Sequence, residues 1–238
     1  MKNTYVKFFL VSWFLLFFVG CTSKSETTPS LSSADKKLVW VGDRSDVFGT
    51  YSYKKITTLE EAQKIVEDKF SLSLPGFYET TQKLLAENNF LKTYTNQQTS
   101  YDIEVDMNSL NFYQTSYYGS DAIPSLVKSV IQITYVVDTD LKQVKTTNER
   151  ITIETVPSEV PNFYQMLPDL SKQMARILGN KIDTRIDDIF AKNTKHDDSQ
   201  LLTSVELFSE NSSLKKEMSI GYNNQGFLTK WYSNVSFE

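Results

Sequence analysis

The chain has 238 residues, 40% of them apolar and 23% charged, with 8 Gly, 6 Pro and a single Cys. This is ordinary globular composition, and it excludes collagen-like, disordered and disulfide-scaffold chains. Lys plus Arg total 25 against 29 Asp plus Glu, a formal net charge of −4, so the basic excess of a nucleic-acid binder is missing.

Residues 1–20 stand apart. Lys2 and Lys7 are their only charges, and the run FFLVSWFLLFFV at 8–19 has Ser12 as its one polar residue. A positive start followed by an apolar stretch of this length reads as a secretory signal peptide. As a helix the run would rise only about 18 Å, against a hydrocarbon core of roughly 30 Å, which argues against a spanning helix. The segment Phe18-Val19-Gly20-Cys21 resembles the lipobox of bacterial lipoproteins, with Phe18 where that family usually has Leu. The resemblance implies cleavage before Cys21, diacylation of its sulfur, and attachment to the outer face of a membrane. Two acyl chains on one residue meet the two-signal requirement for stable anchoring.

With Cys21 committed to the anchor, no disulfide is available. That favours a Gram-positive envelope over an oxidising periplasm. The processed chain would carry 23 basic and 29 acidic side chains, net −6. Residues 21–37 then read as the acylated Cys and a flexible Ser/Thr-rich tether, and residues 38–238 as one globular domain.

Two helices open that domain. Thr58 and Glu61 have capping-box spacing, and Leu59, Ala62, Ile65, Val66 and Phe70 fall on one face. Pro75-Gly76 interrupts, and Phe77, Leu84, Leu85 and Leu91 mark the second helix. Residues 101–107 (YDIEVDM) alternate as a half-buried strand, with Asp102, Glu104 and Asp106 on the polar side. Residues 127–137 form a β-branched strand, and Asp138-Thr139-Asp140 turns the chain into a returning strand that ends ERITIETV. After Pro157 and Pro161 come two more helices. The first carries Leu170, Met174, Ile177 and Leu178 and stops at Gly179; the second carries Ile182, Ile186, Ile189 and Phe190. Three strands, at 203–209, 215–222 and 226–237, close the chain. The expected class is α+β, with helical pairs packed on a largely antiparallel, curved sheet. The order of elements would fit two αα-βββ halves, although no residues match between them.

Catalytic constellations are scarce. His196 is the only histidine and lies in the hydrophilic run NTKHDDSQ, so neither a zinc cluster nor a serine triad can be assembled around it. S-x-x-K occurs at Ser125–Lys128 and Ser212–Lys215, but both lead into strands and no K-T-G follows. Asp138, Asp140 and Glu149 have EF-hand spacing, yet Lys142 and Gln143 occupy positions that need an oxygen ligand and Gly. Asp187-Asp188 and Asp197-Asp198 read as solvated. No Gly-rich phosphate loop is present, and no cofactor, metal or nucleotide is expected.

Two features remain as candidate binding residues. Asp102, Glu104 and Asp106 form an acidic row, read either as a charged strand face or as a row that binds Ca²⁺ or a cationic partner or supplies a carboxylate pair for glycoside hydrolysis. Residues 112–118 (FYQTSYY) are read either as an extra strand with packed aromatics or as an irregular connection presenting Tyr113, Tyr117 and Tyr118 for recognition. The leading expectation is a membrane-anchored, non-catalytic protein that binds an envelope or secreted protein, as an accessory subunit or an immunity-type factor. A carrier of a lipid or other apolar ligand is the alternative. A cell-wall glycan hydrolase using Glu104 with Asp102 or Asp106 is the third.

Overall fold

The computed structural model describes residues 31–156, 160, 163–179, 190, 214–223, 225 and 227–237, together with the backbone of 204–211. The expectations for the signal peptide, Cys21, Ile182 to Ile189, Asp187-Asp188, His196 and Asp197-Asp198 lie outside the described residues. No helix among the described residues is long and apolar enough to cross a membrane.

The class is α+β, as composition and element order suggest. Helix α1 (Asp35–Leu38) and two strands, β1 (Val41–Asp43) and β2 (Tyr51–Ile56), precede the first helical pair, α2 (Leu59–Phe70) and α3 (Gly76–Glu87). A short 3-10 turn at Leu91–Thr93 leads into four long strands: β3 (Asn96–Asp106), β4 (Ser109–Gly119), β5 (Val127–Asp138) and β6 (Gln143–Thr155). Helix α4 (Phe163–Ile177) and strands β7 (Ser204–Asn211), β8 (Lys215–Tyr222) and β9 (Leu228–Ser236) complete the series. Every pairing is antiparallel, in the order β2-β3-β4-β5-β6-β9-β8-β7. The short β1 pairs with residues 143–145 of β6, beyond the stretch of β6 that pairs with β9.

Local chemistry explains most boundaries. The Thr58 hydroxyl accepts from Glu61 N at 3.3 Å, capping α2 where the box spacing places it. At its other end, Arg44 Nη1 donates to Phe70 O at 2.7 Å, supplying positive charge to the helix C-terminus. Asp138 Oδ1 accepts from Asp140 N and Leu141 N at 3.1 and 2.9 Å, the side-chain turn that joins β5 to β6. Gly179 adopts φ +77°, the left-handed position expected just past α4. Leu91 is buried as expected, but in the 3-10 turn and not in α3.

The helices cover one face of the sheet. Helix α2 lies against β2 and β3, α3 against β5 and β6, and α4 against α3 and β9. Ile103, Phe112, Ile131, Ile133, Ile151, Ile153 and Trp231 point into this core and are fully buried. Trp231 Nε1 donates to Ser171 Oγ of α4 at 3.0 Å, and Tyr135 Oη donates to Ser73 O at 2.9 Å, so the bulkiest polar tips are satisfied.

Of the two readings of residues 112–118, the extra strand is the one formed: they lie in β4, fully paired on both sides. Two expectations need correction. The element order does not divide into two αα-βββ halves, because two strands precede the first helical pair and four follow it. The tether does not extend to Lys37. Leu31 packs against the core, and Asp35 is buried in an ion pair with Lys216 at 2.6 Å. Composition concealed this because a segment of Ser and charge becomes ordered when its charges find buried partners.

That ion pair ties the entering chain to β8. Lys216 also donates to Leu178 O at 2.8 Å, at the end of α4, and Ser32 Oγ donates to Asp35 Oδ2 at 2.7 Å. Burial raises the Asp35 carboxyl, but Lys216 and Ser32 outweigh it, and the net shift is downward from 3.8. Gly76 is needed beside it, since any Cβ there would collide with Lys37 O. Lys216→Ala should therefore cost about 3–5 kcal/mol in urea unfolding, because Asp35 is left buried and unpaired. The double variant Asp35→Leu/Lys216→Met should recover most of that loss. Because the folded-state acid is the stronger one, the Asp35 contribution should be lost only as pH falls below its unfolded value.

Candidate functional site

Alternation in β4 decides where the tyrosines go. Tyr118 faces the helices and is buried, whereas Tyr113 and Tyr117 are half-buried on the opposite face, which no described helix covers. The three therefore do not form one cluster. Asp102, Glu104 and Asp106 lie on the same open face as Tyr113 and Tyr117, and Asp102 is directly opposite Tyr113 in register. The acidic row and two of the three tyrosines are thus brought together, and Tyr118 is excluded.

Cross-strand rows give this face its character. One runs Asp102, Tyr113, Gln132, Arg150 through β3 to β6. Beyond the intervening row of Ser100, Thr115, Val130, Thr152 and Tyr232, another runs Gln98, Tyr117, Lys128, Glu154 and continues to Lys230 on β9. Glu154 bridges Lys128 at 3.3 Å and Lys230 at 4.0 Å, and the Arg150 guanidinium lies 5.7 Å from the Tyr232 ring. Gln132, Thr134 and Asn111 form a hydrogen-bonded chain at 3.3 and 2.8 Å. Towards β8, Ser219 and Asn234 on the same face are buried, so its exposed part runs from β3 to Tyr232.

Two of the three carboxylates on β3 are already engaged. Asp102 Oδ1 accepts from Lys55 N at 2.7 Å, and Glu104 is 3.4 Å from Lys54 Nζ. Lys55 sits at φ 58°, within the irregularity of β2, and this bend brings its N–H to Asp102. No group of three metal-ligating side chains occurs among the described residues. The row behaves as a charged strand face, with Asp102 and Glu104 knitted to Lys55 and Lys54 of the neighbouring β2. Tyr113 lies near Glu104, and burial first and that carboxylate second raise its phenol above the usual value.

Chemistry-bearing residues also sit on the helix side, outside the two candidate features of the sequence. Glu149 is 1% exposed and points into the core between Ile133 of β5 and Val235 of β9. Neither of its carboxylate oxygens has a hydrogen-bond partner among the described residues. Burial lifts its titration from 4.5 to about 8, and the Thr146 hydroxyl offsets this only in part. The alternation Glu149, Ile151, Ile153 in ERITIETV already put this acid on the apolar face. Gln114 and Ser116 are buried on the same side, at alternate positions between Phe112 and Tyr118.

No family model, curated protein or solved structure matches the chain.

Glu149 generates a pH dependence of definite sign. Its folded-state titration point lies above its unfolded one, so the folded state holds the extra proton between about pH 4.5 and 8. Stability should fall as pH rises through that window, opposite in direction to the Asp35 effect at acid pH. Urea midpoints should be higher near pH 5 than near pH 8, by the equivalent of a few kcal/mol. Glu149→Gln should flatten the profile; an unchanged slope would show that Glu149 is not its source.

Proposed function

We propose that the chain is a lipid-anchored extracytoplasmic lipoprotein that binds an envelope or secreted protein through the open face of its sheet. The observation that carries the binding reading is that face: Tyr113 and Tyr117 set among hydrogen-bonded and ion-paired rows, on the side of the sheet no described helix covers. Half-exposed tyrosines give large contact area with a polar tip at small entropic cost. The surrounding rows are held in place by one another, which lowers the ordering cost of binding.

The anchor supplies location. The lipobox resemblance at Cys21 leaves nine residues between that Cys and Leu31, the first described residue. Even fully extended, they would span at most about 35 Å. The domain would therefore work close to the bilayer, where an accessory subunit of an envelope complex, or a factor neutralising a toxin that strikes there, must stand. A processed chain of net −6 would favour encounter with a basic partner. The engaged state of Asp102 and Glu104 weighs against using them as a hydrolytic pair.

Two experiments test the two parts separately. Cys21→Ser should leave the protein unprocessed or release it into the medium. A processed form that still fractionates with membranes would overturn the anchor. For the binding surface, crosslinking and affinity capture from the native cells should yield a stoichiometric protein partner. Tyr113→Ala/Tyr117→Ala should weaken that capture by at least about tenfold. The same two changes remove four cross-strand pairs, each worth about 1 kcal/mol or less, so capture should be compared at a temperature well below the thermal midpoint of either protein.

A further inference from the structure

The helix side of the sheet holds a second candidate site, independent of the open face. A cleft of about 130 Å³ lies between the end of α3 and strands β3 and β4. Leu85, Ala86 and Leu91 form its apolar wall, and Thr99, Gln114 and Ser116 its polar wall. Lys92 stands exposed at its rim and makes no ion pair with the described residues. Among the described residues, no Asp or Glu lines it.

The inward row of β4 changes character at this cleft. Leu110 and Phe112 are followed at the same alternation by Gln114 and Ser116, both buried. Polar side chains in a core are costly unless they are satisfied, so their orientation is informative. Tyr78 Oη donates to Gln114 Oε1 at 2.5 Å, and Gln82 Nε2 donates to the same oxygen at 3.1 Å. Two donors on one oxygen fix the amide, so its Nε2 must point the other way, towards Ser116 Oγ at 3.5 Å. Ser116 Oγ in turn lies 2.9 Å from Thr99 Oγ1. The outcome is an oriented amide whose two N–H groups share one long contact, beside a pair of hydroxyls, in a cleft that Lys92 also lines.

We propose that this cleft binds a carboxylate. Gln114 Nε2 and whichever of the Ser116 and Thr99 hydroxyls is not donating to the other would donate to its oxygens, Lys92 would balance its charge, and Leu85, Ala86 and Leu91 would cover a short apolar stem. The volume equals that of about four water molecules and falls below the roughly 300 Å³ at which pockets take whole drug-sized ligands. The occupant is therefore a short free acid or the carboxyl end of a peptide chain.

Calorimetric titration of the full chain with N-acetylglycine and with its amide tests the proposal. The acid should give saturable heat and the amide should not. Lys92→Gln should weaken the acid by up to about fivefold, the range of an exposed charge contact. Ala86→Trp, placed at an exposed position of the wall, should abolish binding while leaving the circular dichroism spectrum and thermal midpoint intact. The tripeptide Ala-Ala-Gly, with a free and with an amidated C-terminus, then identifies the source. Tighter binding of the free-ended peptide than of N-acetylglycine assigns the site to a chain terminus, and equal or weaker binding assigns it to a small free acid. Absence of saturable heat with both acids, equal binding of acid and amide, or full binding by Ala86→Trp would each overturn it. None of these readouts depends on Cys21 or on the open face.

Discussion

A strand buried on one side has no freedom of register, and this constraint organises the molecule. In β4 and β5, burial alternates residue by residue over their length. Slipping either strand by one position would turn Phe112, Ile131 and Ile133 to solvent and bring Tyr113, Lys128 and Gln132 into the core. The composition of the open face is therefore not free to drift: each residue there is held opposite a particular neighbour because its sequence neighbours are held in the core. The Lys128, Glu154 and Lys230 row exists because Val127, Ile153 and Trp231 are buried beside it.

The same constraint explains what the sequence disclosed and what it did not. YDIEVDM and ERITIETV announce strands because the apolar period is 2 and unbroken, and Thr58 with Glu61 announces a helix start because the cap is local. In FYQTSYY the inward positions are Phe112, Gln114, Ser116 and Tyr118. Polar residues at two of the four hide the apolar period, so β4 reads equally well as a loop. The N-terminal boundary failed for a different reason: Asp35 is ordered by Lys216, 181 positions away in the chain, and no local pattern reports so distant a partner. Of the candidate residues, Tyr113, Tyr117 and the acidic row were legible as an exposed group once the register was fixed. Tyr118 was separated from them by the parity of its position.

Three kinds of buried polar group coexist on the helix side, and their differences separate structural roles from functional ones. Asp35 and Lys216 neutralise each other and add hydrogen bonds to Ser32 and Leu178, a closed set that fastens the entering chain. Glu149 has no hydrogen-bond partner among the described residues, and it can stay buried at neutral pH because it holds a proton. Its cost is borne by the sheet and is set by pH. Gln114 is neither closed nor orphaned: its acceptor is saturated by Tyr78 and Gln82, while its two N–H groups share one 3.5 Å contact with Ser116 Oγ in a residue that lines a cleft. A polar network serving stability alone would be satisfied on both sides, because each unused donor in low dielectric weakens the fold. A network satisfied on one side and open to a cleft on the other is a half-built set of hydrogen bonds, and the missing half is an acceptor. That polarity, and not the presence of polar residues as such, marks the cleft as a place to look for a ligand.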